Sequence, residues 1–136
     1  MNKDKSLIGN EKIEEGIEAL KNDFSDEKLA SVMTVIRKRI LEEGQFVVSV
    51  DVSLSDTNLS LKTVTFNDRK WFVAFTSFEE EMKGKNGVMS GFLADIGKLF
   101  DMALNSSEVE GVLLNPFGNM MTINKQIISV IKGNVQ

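Results

Sequence analysis

The chain contains no cysteine, no histidine and no tyrosine, and only one proline. Without cysteine there can be no disulfide, no thiolate nucleophile and no cysteine-ligated zinc. Without histidine the commonest general base and the commonest metal ligand are missing. A serine nucleophile then lacks its usual base. Catalysis would fall to Ser, Thr, Lys, Asp, Glu or backbone groups. Long apolar runs are also absent, and none approaches the roughly 20 residues that span a bilayer. Lys3 and Lys5 are followed only by the apolar pair Leu7-Ile8, so no signal-peptide core is read and a cytoplasmic protein is expected.

What is present suits one domain. There are 136 residues, 42% hydrophobic and 26% charged, enough apolar material for one core without covalent staples. The formal net charge of −4 argues against nucleic acid unless the basic residues cluster. The one dense cluster, Arg37-Lys38-Arg39, lies inside a helical pattern between Ile36 and Ile40 and reads as a solvated helix face.

Periodicity divides the chain. Residues 1–9 are polar and aperiodic and are expected to be a flexible tail. Residues 10–133 read as a single domain, and residues 134–136 as a second tail. Asn10 is a candidate cap for a helix carrying Ile13, Ile17, Leu20 and Phe24, which Gly16 weakens. Ser25 caps a second helix, with Asp26 and Glu27 in its first turn and an apolar stripe of Leu29, Val32, Met33, Ile36, Ile40 and Leu41. Gly44 is expected at the C′ position.

Three strands follow in a run. Residues 45–52 alternate, with Phe46, Val48, Val50 and Val52 opposed to Val47, Ser49 and Asp51, which reads as a half-buried strand. Turn residues at 53–58 lead to a strand over 59–66, and Asn67-Asp68 marks a tight hairpin. Residues 70–76 are apolar on both faces, so this third strand belongs at the centre of the sheet. Ser77 and Glu80 form a capping box over a short acidic helix. A loop at 84–87 precedes the strongest helical pattern, from Ser90 through Phe92, Leu93, Ile96, Leu99, Phe100, Ala103 and Leu104. Residues 109–114 form a fourth strand and 120–123 a short fifth. Asn124 caps a last helix closed by Gly133. The expected fold is α+β: a mixed four- to five-stranded sheet with a three-stranded meander, covered by helices.

Templates for chemistry are few. Gly84-Lys85-Asn86-Gly87 lacks a preceding strand and the Gly-Lys-Ser/Thr ending of a phosphate loop. The aspartates, including Asp95 and Asp101 on the polar side of their helix, do not follow calcium-loop spacing. No metal site and no cofactor is expected.

Two turns stand out. Thr76-Ser77 closes one strand and opens a helix, where unpaired backbone N–H groups favour an anion; alternatively, Ser77 caps its own helix. Asn115-Pro116-Phe117-Gly118 contains the only proline. Asn before Pro starts a turn, and Gly118 is expected to supply a positive φ. Asn115 either bonds local backbone or is displayed with Phe117 at the sheet edge for recognition. An aromatic in a turn must cover the core or meet a partner. Met120-Met121 read as core filling.

These stretches carry a resemblance. The strand at 46–50, Phe72-Val73-Ala74-Phe75-Thr76-Ser77 with the acidic Glu79 to Glu81 after it, and Gly111-Val112-Leu113-Leu114-Asn115-Pro116-Phe117-Gly118 together resemble the SseB-type domain of bacteria, over about residues 10–133. The chain departs from that pattern at Ser49, where the family often has proline, and at Met82, where an aromatic often stands. The resemblance implies a cytoplasmic α+β domain without a cofactor, found alone or fused to others. It carries no catalytic role onto the matching residues Phe75, Thr76, Ser77, Asn115, Pro116 and Gly118.

The leading expectation is a non-enzymatic interaction or regulatory module that presents Phe75, Thr76, Ser77, Asn115, Pro116, Phe117 and Gly118 to a protein partner or to a second copy of itself. Neither nucleic acid nor membrane is an expected partner. The alternative is a domain binding a small anionic metabolite, an amino acid or phosphate, at the Ser77 helix start. A third reading, an enzyme working through Glu79, Glu80 and Glu81, competes with a solvated acidic helix face favoured by the dipole.

Overall fold

The computed structural model describes residues 5–52, 59–84 and 91–133. Readings that concern residues 1–4, 53–58, 85–90 and 134–136 lie outside the described residues.

Two helices that pack on each other start the domain. Helix α1 (Glu11–Asn22) buries Ile13 and Ile17, and α2 (Asp26–Leu41) buries Val32 and Ile36. Ser25 caps α2 by accepting the Lys28 N–H at 3.1 Å. Phe24 and Leu41 continue the apolar spacing in sequence but are 66% and 77% exposed, because both lie where their helices end. The left-handed residue after α2 is Glu43, at φ 62°, rather than Gly44. Gly44 is small for a different reason: an added Cβ would lie 2.6 Å from Nη2 of Arg39.

Seven strands among the described residues form one mixed sheet: β1 (Gln45–Val52), β2 (Leu59–Leu61), β3 (Thr63–Phe66), β4 (Arg69–Phe75), β5 (Gly91–Asp95), β6 (Gly111–Leu114) and β7 (Met121–Asn124). The expected second strand is therefore two. Lys62 donates its N–H to Ser49 O and accepts the Val73 N–H, so the chain passes there from pairing with β1 to pairing with β4. Asn67 and Asp68 turn it back at φ 53° and 64°, the signs of a type I′ hairpin. Strand β4 is central, antiparallel to β3 and β1 on one side and parallel to β6 on the other. All other pairings are antiparallel.

Strand β5 corrects the sequence reading most. Phe92 and Leu93 share helical spacing with Ile96, yet residues 91–95 pair along β1 over five positions. The free edge of β1 offers each residue a backbone partner, and that outweighs local periodicity. The helix α4 (Ile96–Asn105) starts only where Asp95 Oδ1 accepts the Lys98 N–H at 2.9 Å, so Asp95 is a cap and not part of a polar helix face. Asn124 caps the last helix, α5 (Lys125–Lys132), and Gly133 closes it at φ 73°.

Both faces of the sheet are covered, unequally. On one, Phe46, Val48, Ala74, Val112, Leu114 and Ile123 meet the apolar stripes of α1, α2, α4 and α5. Phe46 packs edge-on to Phe100, with centroids 6.5 Å apart. On the other, Val47, Val73 and Phe75 form a smaller cluster with Leu7, Phe78, Val64 and Leu93. Leu7 belongs to a 3-10 turn at Lys5–Leu7, so residues 5–9 are folded against the sheet rather than a tail. Phe78 opens the short helix α3 (Phe78–Met82). Each such fully buried aliphatic or aromatic side chain contributes about 1.5–3 kcal/mol. β1 is thus buried on both faces, with Val47 at 0% and Ser49 at 9% exposure, where one solvated face was expected.

Candidate functional site

The two signature turns meet. Strands β4 and β6 run parallel, so their carboxyl ends leave the sheet side by side, the place where open sheets with parallel strands commonly carry sites. The ladder continues one residue past β6, with the Asn115 N–H donating to Ala74 O at 2.9 Å. Asn115 then turns at φ 53°, a left-handed conformation that Asn tolerates better than most residues. Its Oδ1 accepts the Thr76 N–H at 2.9 Å, and its Nδ2 donates to Thr76 Oγ1 at 3.1 Å. The positive φ expected of Gly118 is supplied by Asn115. Gly118 closes the turn by donating its N–H to Asn115 O, and an added Cβ there would meet Glu80 Oε1 at 2.5 Å.

Beneath this pair runs a buried polar chain. Thr76 Oγ1 donates to Glu14 Oε2 at 2.5 Å. Asn10 Nδ2 donates to Thr76 O at 3.0 Å and to Gln45 O at 2.8 Å. Asn10 Oδ1 accepts from Arg39 Nε at 2.8 Å, and Arg39 also donates to Ser6 O and Glu42 Oε1. The network joins α1, α2, β1, β4 and β6 at one point. Asn10, Arg39, Thr76 and Asn115 are 1%, 6%, 0% and 1% exposed. Their hydrogen bonds go to one another, to the backbone and to the carboxylates of Glu14 and Glu42, as burial requires. Arg39 is thus no part of a solvated basic face, and Asn10 sits at the α1 start without bonding its N–H groups.

The outer layer differs. Phe117 is 54% exposed, with its ring 5.7 Å from that of the buried Phe75. Pro116, Ser77 and Gly118 are half-buried. Helix α3 packs beside the turn: Glu80 lies against Gly118, and an added Cβ at Gly84 would sit 2.7 Å from the Phe117 ring. Met82 on α3 is 56% exposed. Ser77 Oγ accepts the Glu80 N–H at 3.2 Å, so the hydroxyl serves its own helix. An anion at this start would also face three glutamates in the first turn.

Those glutamates are not one solvated face. Glu79 is exposed, Glu80 pairs with Lys83 at 2.6 Å, and Glu81 is 8% exposed. Glu81 Oε2 accepts from Ser49 Oγ at 3.2 Å, while Glu81 Oε1 and Glu80 Oε1 are buried without a hydrogen-bond partner among the described residues. Burial pushes the Glu81 carboxyl above its ordinary range, and the Ser49 hydroxyl opposes this in part.

Of the seven residues singled out in the sequence, Phe75, Thr76 and Asn115 are internal, and only Phe117 projects. Asn10, Glu14, Arg39 and Ser49 were not singled out as site residues, and Glu81 was singled out only as one of three acids and not as a buried one. Some signals existed. Arg39 continues the buried positions Val32 and Ile36 at helical spacing, and Glu81 follows Phe78 at i+3. Among the described residues no three carboxylates gather as a metal site, and no helix is long and apolar enough to cross a membrane. The chain matches no family model, no curated protein and no solved structure.

Proposed function

We propose that the chain is a non-enzymatic interaction module of the SseB-like type, acting in the cytoplasm, which presents Phe117 and the outer side of α3 to a protein partner or a second copy of itself. The observation that carries this reading is an exposed aromatic on a turn whose base is held by buried hydrogen bonds. A large apolar side chain on a pre-organised turn loses little conformational entropy on binding, the property of interface anchors. Met82 adds exposed apolar surface on the neighbouring helix. The site offers no comparable support for an anionic metabolite, since Ser77 is engaged as a cap and the surroundings are acidic.

The test uses Phe117→Ala beside the wild type, after circular dichroism shows both folded. Light scattering across concentrations reads self-association. Crosslinked pull-down with mass spectrometry reads other partners. An assembly formed by wild type and lost in the folded variant supports the module. A wild-type protein that stays monomeric and partnerless after crosslinking overturns it.

A further inference from the structure

Glu81 is a carboxyl group that the interaction surface does not use. It sits on the inner side of α3 and reaches β1, where Ser49 Oγ donates to Oε2 at 3.2 Å. Its other oxygen is buried and has no hydrogen-bond partner among the described residues. The first residue of β5 is Gly91, and an added Cβ there would lie 2.5 Å from Oε1. The carboxyl therefore fills a gap between α3, β1 and the start of β5. Removing a polar oxygen from water without a partner is costly, far more so when it is charged.

Among the described residues, no charged group pairs with it. On α3, Glu79 is exposed and Lys83 is held by Glu80 at 2.6 Å. On β4, Arg69 and Lys70 occupy the opposite end of the strand and are exposed, and Arg69 pairs with Glu110. On β5, Asp95 ends the strand as the α4 cap. Lys62 beside β1 and Lys5 in the 3-10 turn are exposed.

We propose that Glu81 is a proton-operated latch: as a neutral acid it docks α3 on the sheet, and its ionisation favours release of the helix. α3 is suited to release. It has five residues, and the sheet face it covers has the smaller of the two cores. The latch does not depend on what the outer surface binds, although release would withdraw Gly84 and Glu80 from Phe117 and Gly118.

The sign follows from linkage. Burial raises the carboxyl above its ordinary value of 4.5, so the docked state holds the proton more tightly than the released state. Docking is strongest below that value. It weakens as pH rises above it and levels off once pH passes the raised, docked-state pKa. One proton sets the limit, a change of about tenfold in the opening equilibrium per pH unit.

The test is hydrogen exchange on the whole chain alone, with carbon-detected NMR titration of the Glu81 carboxyl. The reporting amides are Glu81, Lys83 and Gly84, which donate to Ser77 O, Glu80 O and Glu81 O. The reference is the Lys125 N–H, bonded to Glu110 O. After correction for intrinsic exchange, protection at the α3 amides should fall relative to Lys125 as pH rises, by up to about tenfold per unit. The fall should level off at the Glu81 midpoint and be absent in Glu81→Gln. Three results each overturn the latch: pH-independent α3 protection, an ordinary Glu81 midpoint, or the same fall in Glu81→Gln. If that variant does not fold, Ser49→Ala replaces it. Losing the hydroxyl should move the Glu81 midpoint and the protection profile upward together, and a profile that stays put while the midpoint moves overturns the proposal.

Discussion

Asn115 bonds Thr76 twice through its carboxamide, accepting the backbone N–H at 2.9 Å and donating to the side-chain hydroxyl at 3.1 Å. The two residues are 39 positions apart and close the ends of two parallel strands. This clasp makes a rigid base from two segments that are ordinary turns taken singly.

The clasp predicts a graded response at Asn115. Asn115→Gly keeps the φ of 53° available but strands the buried Thr76 N–H, and should cost about 1–3 kcal/mol. Asn115→Ala adds left-handed strain and should cost a further ~1 kcal/mol. Urea denaturation of the three proteins checks this. Equal losses for Gly and Ala would mean that the backbone angle is not a constraint.

Arg39 and Gly44 should be energetically coupled. Arg39→Ala leaves Asn10 Oδ1 and Ser6 O without their donor and should cost about 2–4 kcal/mol. Gly44→Ala drives a methyl group toward the guanidinium, 2.6 Å from Nη2. Its penalty should be smaller by at least ~0.5 kcal/mol when Arg39 is already Ala. A double-mutant cycle with strictly additive losses would refute the contact.

Phe117→Ala should separate stability from association. The ring is 54% exposed, so truncation should cost only about 1 kcal/mol while removing the proposed anchor. Thermal denaturation beside light scattering and pull-down measures both. A large stability loss would identify Phe117 as a cover for the core instead.

Global stability should carry the Glu81 signature too. Because the native carboxyl binds its proton more tightly than the unfolded one, wild type should lose stability relative to Glu81→Gln as pH climbs above ~4.5. The difference should become constant once Glu81 is ionised in both states. Melting curves of the two proteins across that interval decide it, and a wild type that gains stability relative to Glu81→Gln with rising pH contradicts the sign.

Much of the fold is legible locally. Ser25, Ser77 and Asn124 cap helices as read, because a cap needs only a hydroxyl or carboxamide three residues from a free N–H. Asn67-Asp68 makes the hairpin because both residues accept positive φ. The centrality of β4 followed from apolar residues on both of its faces, and the α+β class from strands that arrive in a run. At the site, the sequence singled out two turns that the structure brings together. It did not separate what is buried there from what is displayed.

Those distinctions rest on partners distant in the chain. Phe92 and Leu93 are extended because β1 has an edge to fill, which no window around residue 92 records. Arg39 is buried because Asn10 and Ser6, 29 and 33 residues earlier, receive its donors. Glu81 is desolvated because α3 lies on Ser49 of another strand. Local sequence settled the caps at Ser25, Ser77 and Asn124 and the turn at Asn67-Asp68, since those energies act within about four residues. The tertiary structure alone decided which polar groups lose water and which aromatic keeps it, since desolvation depends on every segment that packs around a side chain.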